Sequence, residues 1–314
     1  MRAIAVKSFK ANPEVIDVPT PQPKEDEVLV KLSVAGINPF DWKIADGMLD
    51  GQVGHTFPLV LGLDGAGTVE AAGSKIKRFK VGDQIFGQFW QLPLGRGTYT
   101  QLCAVSENAP IAKKPERLSM ADAAALPTAG MAALDLLERS ALKAGETVLI
   151  VGATGGVGQF LTQLASQQGM RVIATGTAKD VAMLKALGAS TVVDFTAGAV
   201  TKQVQDQFPK GIEGLFDLVS NPAGFAEYAT LVRAGGVALT TNFVADEKAL
   251  TKRNVRGGNF VLGATPKLVE RLGKIAGDGK LKVTIEKRVS LDETIAAIAA
   301  AKTGQSRGKT IITI

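Results

Sequence analysis

The sequence predicts an α/β protein that combines a doubly wound, parallel six-stranded sheet with a second, β-rich domain. Three observations carry this prediction. After residue 119, apolar strand-like runs alternate with helix-like segments, as in a parallel sheet with helices on both faces. In the first 120 residues, short β-like runs are separated by Gly, Pro and Asp turns. The densest group of glycines joins the first of the later strands to its helix.

The front part of the chain is predicted to be β-rich. Apolar residues occupy every second position from Val28 to Val34, and polar Lys31 lies between them. That period is typical of a half-buried strand. Shorter strands are predicted over residues 68–71, 84–86 and 98–105.

The later part of the chain is predicted to alternate between helices and strands. Residues 119–142 are expected to form a helix interrupted at Pro127. Helices over 157–165 and 179–187 are each followed by a glycine that ends them. The six strands of the parallel sheet are predicted over 147–151, 171–175, 191–194, 215–219, 237–240 and 260–262.

The last fifty residues are predicted to return to the first domain. A helix over 267–276 and a strand over 282–289 precede a capping box, Ser290-x-x-Glu293, which opens another helix. A final strand is predicted over 310–314. The expected division is therefore a β-rich domain over 1–120, completed by 265–314, and a doubly wound domain over 121–264.

Composition excludes several classes of protein. With 46% hydrophobic and 21% charged residues, 314 residues suffice for two globular domains. The single cysteine, Cys103, excludes an intramolecular disulfide and every zinc site with two or more thiolates.

Residues 1–15 lack the apolar core of a signal peptide and no run approaches a membrane span, so a cytoplasmic location is expected. The net charge of +6 is dispersed, which favours a small anionic ligand over nucleic acid.

Residues 152–158 form the glycine cluster, between a predicted strand and a predicted helix. In that context the N–H groups of the helix start hold a pyrophosphate, and the helix dipole adds to the attraction. The pattern departs from G-x-G-x-x-G because Ala153 stands at its first glycine, while Gly158 allows close packing of helix on sheet. A Rossmann dinucleotide site is predicted, with a ligand-free turn as the alternative. Its expected cofactor contacts are Thr154, Gly155, Gly156 and Val157.

The choice between NAD and NADP depends on the end of the second strand. An NAD site usually places Asp or Glu about 20 residues after the loop, on the ribose 2′-hydroxyl. Here that place falls at Thr177, and no carboxylate precedes Asp180. A hydroxyl and the amino group of Lys179 suit a 2′-phosphate. NADP(H) is therefore predicted, with Thr177 and Lys179 as contacts; the alternative is that Lys179 is an ordinary exposed residue of a helix start.

Seven short motifs are distributed over the whole chain: GINPFDWK at 36–43, FPLVLGLDGAGTV at 57–69, VGD at 81–83, GTY at 97–99, AALP at 124–127, LKALGA at 184–189 and RGKTI at 307–311. Together they resemble the medium-chain dehydrogenase/reductase superfamily, and most of all its zinc-independent, zeta-crystallin-like quinone oxidoreductases. The resemblance is specific for the superfamily and much less so for a substrate. It implies that the β-rich domain is a GroES-like catalytic domain.

The resemblance also implies a reaction without metal. Zinc-dependent relatives carry Cys where Asn38 stands and His where Leu63 stands, and a leucine cannot coordinate zinc. The four-cysteine lobe that holds structural zinc in those relatives is missing. Since a conjugated acceptor delocalises the charge that arrives with a hydride, one or two hydrogen-bond donors suffice in place of a metal.

Three catalytic residues are expected near the relatives' metal position. The side-chain amide of Asn38 is predicted to donate to the acceptor oxygen; the alternative is an asparagine that shapes the turn before Pro39. Asp41 and Lys43 lie at the expected start of a helix and are predicted to pair and hold Asn38 in place; the alternative is that they are ordinary exposed charges of that helix.

Further cofactor contacts are expected at the carboxyl ends of the parallel strands. Asn221 and Asn242 are predicted to reach ribose hydroxyls, and the backbone near Leu262 to meet the carboxamide. Thr128 is expected to touch the nicotinamide, as the matching region does in relatives. His55 and Tyr99 are further proton-donor candidates, for which solvation and packing are the respective alternatives.

These observations predict an NADPH-dependent reductase of quinones or α,β-unsaturated carbonyls that transfers hydride directly and without zinc. Two alternatives remain open: a non-catalytic NADPH-binding protein, crystallin-like or sensing, and an enoyl-thioester reductase. The apolar run 259–263 predicts an uncovered strand edge that joins two chains into a homodimer.

Overall fold

The computed structural model describes residues 1–304 and 306–314. The chain forms two compact units, residues 1–131 with 264–314 and residues 132–263. The division falls inside a helix, Pro127–Ser140, whereas the sequence placed it at 120–121. None of the described helices has the length and apolar character that a membrane crossing requires.

The first 131 residues are mostly strands. The elements that begin in this stretch are β1 (Arg2–Val6), β2 (Glu14–Asp17), β3 (Glu27–Gly36), α1 (Pro39–Ala45), β4 (His55–Val60), β5 (Asp64–Ala72), β6 (Gln84–Gln88), β7 (Leu94–Arg96), β8 (Leu102–Ser106), β9 (Ile111–Lys113), α2 (Met120–Ala125) and α3 (Pro127–Ser140). The predicted alternation is confirmed in β3, where the apolar residues are buried and Lys31 is exposed. The predicted interruption at Pro127 separates α2 from α3.

Residues 132–263 form the predicted parallel sheet. Its elements are β10 (Thr147–Val151), α4 (Gly156–Gln167), β11 (Arg171–Gly176), α5 (Val181–Ala186), β12 (Thr191–Asp194), α6 (Val200–Gln207), β13 (Ile212–Asp217), α7 (Pro222–Ala229), β14 (Val232–Thr240), α8 (Glu247–Lys252) and β15 (Arg256–Asn259). The strand order is β12-β11-β10-β13-β14-β15, and every neighbouring pair is parallel. This is the doubly wound order that places ligands at the carboxyl ends of the strands.

The predicted sixth strand over 260–262 is wrong by several residues, because the edge strand β15 precedes the apolar run. Gly257 and Gly258 have φ angles of 109° and 133°. A Cβ on Gly257 would lie 2.1 Å from the carbonyl oxygen of Ala238, so the close approach to β14 requires glycine there. The apolar run therefore did not predict the position of the sixth strand.

The predicted strand over 215–219 also begins and ends earlier than expected. The carboxylate of Asp217 accepts hydrogen bonds from the backbone N–H groups of Val219 and Ser220, at 3.1 and 2.9 Å. This turn ends β13 at Asp217 and leaves Val219 60% exposed.

The end of the chain returns to the first unit as predicted, with α9 (Pro266–Gly277), β16 (Ile285–Ser290), α10 (Thr294–Ala301) and β17 (Lys309–Thr313). The Glu293 carboxylate accepts the Ser290 N–H and hydroxyl, each at 2.8 Å. The helix itself begins at Thr294 with Glu293 as its N-cap, so the predicted capping box does not open it at Ser290. A seven-stranded sheet results, in the order β16-β17-β3-β5-β6-β9 with β8 also paired to β3. A smaller sheet has the order β2-β1-β4-β7.

Candidate active site

Neighbouring strands of the seven-stranded sheet bring polar side chains to one end of the sheet. Lys309 is the first residue of β17, and Asn38 follows the end of β3. Asp64 is the first residue of β5, and the register pairs it with Gln88, the last residue of β6. All four side chains are buried. Since buried polar groups are normally hydrogen-bonded, they are expected to form one network.

Asp64 is the centre of that network. Its carboxylate accepts from the Asn38 side-chain amide at 2.9 Å, from the Thr128 backbone N–H at 3.0 Å and from the Thr128 hydroxyl at 2.6 Å. The Gln88 amide donates to the same hydroxyl at 2.8 Å. Gly36 faces Asp64 across the ladder. A Cβ there would lie 2.3 Å from the Ala124 carbonyl oxygen and 3.2 Å from the Asp64 Cβ, so the close approach of α2 requires glycine. Burial raises the pKa of Asp64, and first the charge of Lys309 and then the hydrogen bonds from Thr128 and Asn38 oppose that rise.

Asp41 forms a second buried group beside the first. Its Oδ2 accepts from the Asn38 backbone N–H at 2.7 Å and from the Tyr99 hydroxyl at 2.5 Å, whereas Oδ1 is buried and has no hydrogen-bond partner among the described residues. Burial raises the pKa of Asp41 to about 7, and burial also raises the pKa of Tyr99 well above its usual value. The predicted Asp41–Lys43 pair is wrong: the two residues share α1, but the partner of Asp41 is Tyr99.

Asn38 combines features of both predicted roles. It stands at the N-cap of α1, in a capping box with Asp41, as the turn-shaping interpretation requires. Its side chain also joins the network, since Oδ1 accepts from the Lys309 ammonium group and Nδ2 donates to Asp64. The residue is 2% exposed.

The residues at the relatives' zinc position do not fit a zinc ion. Leu63 is buried and has no donor atom, and the side-chain oxygen of Asn38 is held by Lys309. Within residues 1–304 and 306–314, no three His, Cys, Asp or Glu side chains are grouped as metal ligands. We therefore derive no step through a metal.

The surroundings of His55 and Thr128 differ from those that were predicted for them. His55 lies in β4 with its Nε2 buried, and packs edge-on against Phe9 with 4.8 Å between ring centroids; it is not a solvated loop residue. The hydroxyl and N–H of Thr128 donate to Asp64, and the hydroxyl also accepts from Gln88, so both hydrogen-bond donors of Thr128 are already used. No contact joins His55 to the network among the described residues.

In the second unit, the glycine cluster forms the predicted strand-to-helix turn. Gly155 is the N-cap of α4, and residues 156–158 supply N–H groups that have no acceptor within the helix. A Cβ on Gly158 would lie 2.3 Å from the carbonyl oxygen of Gly152, so close packing requires glycine there. At Gly155 the space is open, since only that same oxygen lies near, at 3.5 Å. Such a cradle fits a pyrophosphate; Thr154, Gly156 and Val157 line it, half-buried.

At the end of β11, Thr177 and Lys179 occupy the turn where the 2′-phosphate contact is predicted. The Asp180 carboxylate accepts from the Thr177 N–H at 2.9 Å and from its hydroxyl at 2.7 Å. Asp180 is buried, so the first carboxylate after β11 is engaged in a capping box. Lys179 is exposed. This agrees both with a contact to the 2′-phosphate and with the alternative, an ordinary exposed residue at a helix start.

The remaining predicted contacts follow β13, β14 and β15. The side-chain oxygen of Asn221 caps α7 by accepting the Gly224 N–H at 2.9 Å. The Asn242 amide donates to the Ser220 carbonyl at 3.3 Å. Leu262 is half-buried and lies beyond β15. These residues lie at the carboxyl end of the sheet, and both asparagines also stabilise the loops that carry them.

Sequence reasoning missed Asp64, Lys309 and Gln88 as site residues, although two of them lie inside the seven motifs. The usable signal is a charged residue within an apolar strand: Asp64 follows Leu63, and Lys309 precedes Ile311 and Ile312. A charge in that setting is buried and needs a partner. Which partner it finds depends on strand order, which the sequence does not state.

A doubly wound sheet with an open glycine-rich first turn is the architecture of a dinucleotide-binding protein. Residues 24–116 match the family model described as alcohol dehydrogenase GroES-like domain, and residues 156–264 match the one described as zinc-binding dehydrogenase. The chain belongs to the medium-chain dehydrogenase/reductase superfamily, in the branch of quinone oxidoreductases and enone reductases.

Three known proteins illustrate this membership. The 2-methylene-furan-3-one reductase of Solanum lycopersicum is 32% identical, over 94% of this chain and 74% of that protein. The chloroplastic NADPH-dependent alkenal/one oxidoreductase of Arabidopsis thaliana is 28% identical, with the same coverage of 94% and 74%. The solved quinone oxidoreductase of Coxiella burnetii superimposes with a TM-score of 0.90 at 28% identity, over 100% of this chain and 99% of that one.

Proposed function

We propose that this protein is an NADPH-dependent reductase of quinones or α,β-unsaturated carbonyls that works without zinc. The observation that carries the proposal is the buried network around Asn38, which holds a neutral amide donor where zinc-dependent relatives carry a metal ligand. The open cradle at the start of α4 supports the cofactor assignment. The names of the relatives point to the same class of acceptor.

The chemistry follows from where negative charge develops. When bound, the cofactor supplies a hydride to the β-carbon of an enone or to the ring of a quinone. The carbonyl oxygen then becomes an enolate or phenolate oxygen. The side-chain N–H of Asn38 donates a hydrogen bond to it, and this bond strengthens as the negative charge grows. Asp64 and Lys309 hold the amide still, so that no reorganisation is needed during the reaction. Solvent supplies the proton that completes the product.

The proposal is tested by following NADPH absorbance with four acceptors: a benzoquinone, a naphthoquinone, an alkenal and an enoyl thioester. We expect turnover with a quinone or the alkenal, at the same rate after exhaustive treatment with a chelator. A preference for the thioester would identify an enoyl-thioester reductase instead. NADPH binding without turnover of any acceptor would leave the non-catalytic alternative.

The preference for NADPH is assigned to the turn after β11. Lys179 is exposed there, and the nearest carboxylate, Asp180, is engaged with Thr177. We expect Lys179→Ala to weaken NADPH binding by about 10- to 150-fold, the value of a charge-assisted hydrogen bond of roughly 1.5–3 kcal/mol. NADH affinity should hardly change, because NADH has no 2′-phosphate. Fluorescence titration of both cofactors measures the effect.

Lys210→Ala is the matched control, since Lys210 is equally exposed but precedes β13, at the opposite end of the strands. It should leave both affinities unchanged. Equal weakening of NADPH and NADH by Lys179→Ala would show that Lys179 does not recognise the 2′-phosphate.

We also propose a homodimer that uses the free edge of the parallel sheet. In the part of the chain that the structure describes, β15 pairs with β14 alone, and Val261 just beyond it is 62% exposed. An uncovered edge next to apolar side chains favours pairing with a second copy. Light scattering at micromolar concentration should give twice the chain mass of 32.7 kDa, and Val261→Lys should lower it. A wild-type mass near that of one chain would refute the dimer.

The cytoplasmic location is a proposal of the same kind. Its support is the sequence, whose single cysteine, Cys103, is buried and free, so the chain has no disulfide framework of the kind that small secreted domains use. A fluorescent fusion in the native cell would place the protein directly.

A further inference from the structure

Lys309 is a buried cation whose amino group binds the segment that carries Asn38. The residue is 4% exposed. Its ammonium group donates to the Ile37 carbonyl at 2.8 Å and to the side-chain oxygen of Asn38. The charges of Asp64 and Asp41 lie close enough to stabilise the ammonium form, against the lowering of its pKa by burial. A lysine is buried in this way only where its charge and its donors are used.

The antiparallel ladder between β17 and β3 explains why Lys309 reaches Asn38. The register pairs Ile311 with Gly36, and the Ile37 N–H donates to the Thr310 carbonyl at 3.0 Å. Continuing this ladder by two residues places Lys309 opposite Asn38, on the same face of the pair. The contact therefore follows from strand pairing and does not depend on a flexible loop.

The two neighbours of the Asn38 side chain allow only one orientation of its amide. An ammonium group can only donate hydrogen bonds, and an ionised carboxylate can only accept them. The amide oxygen must therefore point to Lys309 and the NH₂ group to Asp64, as found. The reverse orientation would set N–H against ammonium and C=O against carboxylate. One N–H of the amide serves Asp64, and the described residues provide no acceptor for the other.

We propose that Lys309 is a positioning residue: it fixes the Asn38 amide so that an N–H, and never the carbonyl oxygen, is offered to the acceptor. The ammonium group also polarises the amide through Oδ1, which makes the N–H a stronger donor. This inference rests on the proposed function, because it assigns a purpose to the N–H that remains free. Lys309 touches neither acceptor nor cofactor in this account and acts through Asn38 alone.

The test is a double-mutant cycle that combines Lys309→Met with Asn38→Ala. In the wild-type background, Lys309→Met should lower kcat about tenfold, because a misdirected donor loses much of its effect, and should leave the KM for NADPH unchanged. In the Asn38→Ala background the same change should lower kcat no further, since the group that Lys309 positions is gone. Lys287→Met is the matched control, because Lys287 is exposed on the adjacent strand β16 and should alter neither value.

Full additivity of the two changes in kcat would overturn the proposal, because a merely structural lysine would act equally in both backgrounds. An unchanged kcat for Lys309→Met would overturn it too. If that variant does not fold, Lys309→Gln replaces it in the same cycle, and its neutral N–H donor should preserve kcat better than Met would. Failure of the proposed function itself would be visible separately, as a wild-type protein that turns over none of the acceptors.

Discussion

Replacing Asn38 by alanine is expected to lower kcat by about 10²-fold, the low end for removal of an oxyanion donor. The bond that Asn38 donates strengthens as charge reaches the acceptor oxygen, so its loss is felt in the transition state more than in the bound substrate. The KM for NADPH should hardly move, because the cofactor cradle lies at residues 154–157 of the other unit. Steady-state kinetics with the best acceptor of the panel gives both values.

The variant Asn38→Asp distinguishes the two roles considered for Asn38: shaping the turn as the N-cap of α1, and donating a hydrogen bond to the acceptor. An aspartate keeps the N-cap function, so a turn-shaping Asn38 predicts that this variant retains most activity while Asn38→Ala loses stability. A donating Asn38 predicts the opposite order for activity. The new carboxylate would repel the growing charge, and it would also stand where Nδ2 now lies 2.9 Å from an oxygen of Asp64. Measuring kcat and Tm for both variants decides between the roles.

Asp64→Leu is expected to lower the free energy of unfolding by about 3–5 kcal/mol, the cost of removing one partner of a buried ion pair. The change would leave the Thr128 N–H and hydroxyl and the Asn38 amide without their acceptor. It would also leave the buried charge of Lys309 without its largest stabilising neighbour. Urea unfolding, with the slope checked for two-state behaviour, measures the loss.

Asp64→Asn is the control for volume, because it keeps the shape and one acceptor oxygen at the same place. It should cost clearly less than Asp64→Leu, since an amide still accepts from Asn38 or Thr128. A loss below about 1 kcal/mol for the leucine variant, within the ordinary effect of a single substitution, would contradict the view that this network is held together by Asp64.

The sequence predicted most of the fold because the determinants of its elements are local. The alternation in β3, the interruption at Pro127 and the glycine that follows α4 each lie within one element or at its boundary. The edge strand β15 escaped prediction because its residues, Arg-Gly-Gly-Asn, are not selected by apolar burial. The glycine at position 257 is required instead by the close approach of β14, whose backbone leaves no room for a Cβ there.

The site was predictable only in part, because its contacts join residues far apart in the chain. Asn38 was found through its motif, but its partners Asp64 and Lys309 are 26 and 271 residues away. Adjacency in sequence pointed instead to Lys43 as the partner of Asp41. Tyr99 took that place because a buried carboxylate needs a donor inside the core, and the segment between β7 and β8 supplies one from 58 residues away.

Direct hydride transfer to a conjugated acceptor without a metal can be followed with an isotope label. The protein is treated exhaustively with a chelator and then turns over an enone with NADPH deuterated at C4, each epimer in a separate reaction. We expect an undiminished rate and, from one of the two epimers, a product with a single deuterium at the β-carbon by mass spectrometry and NMR. Product without label from either epimer, or turnover that stops with the chelator and returns with zinc, would contradict this mechanism.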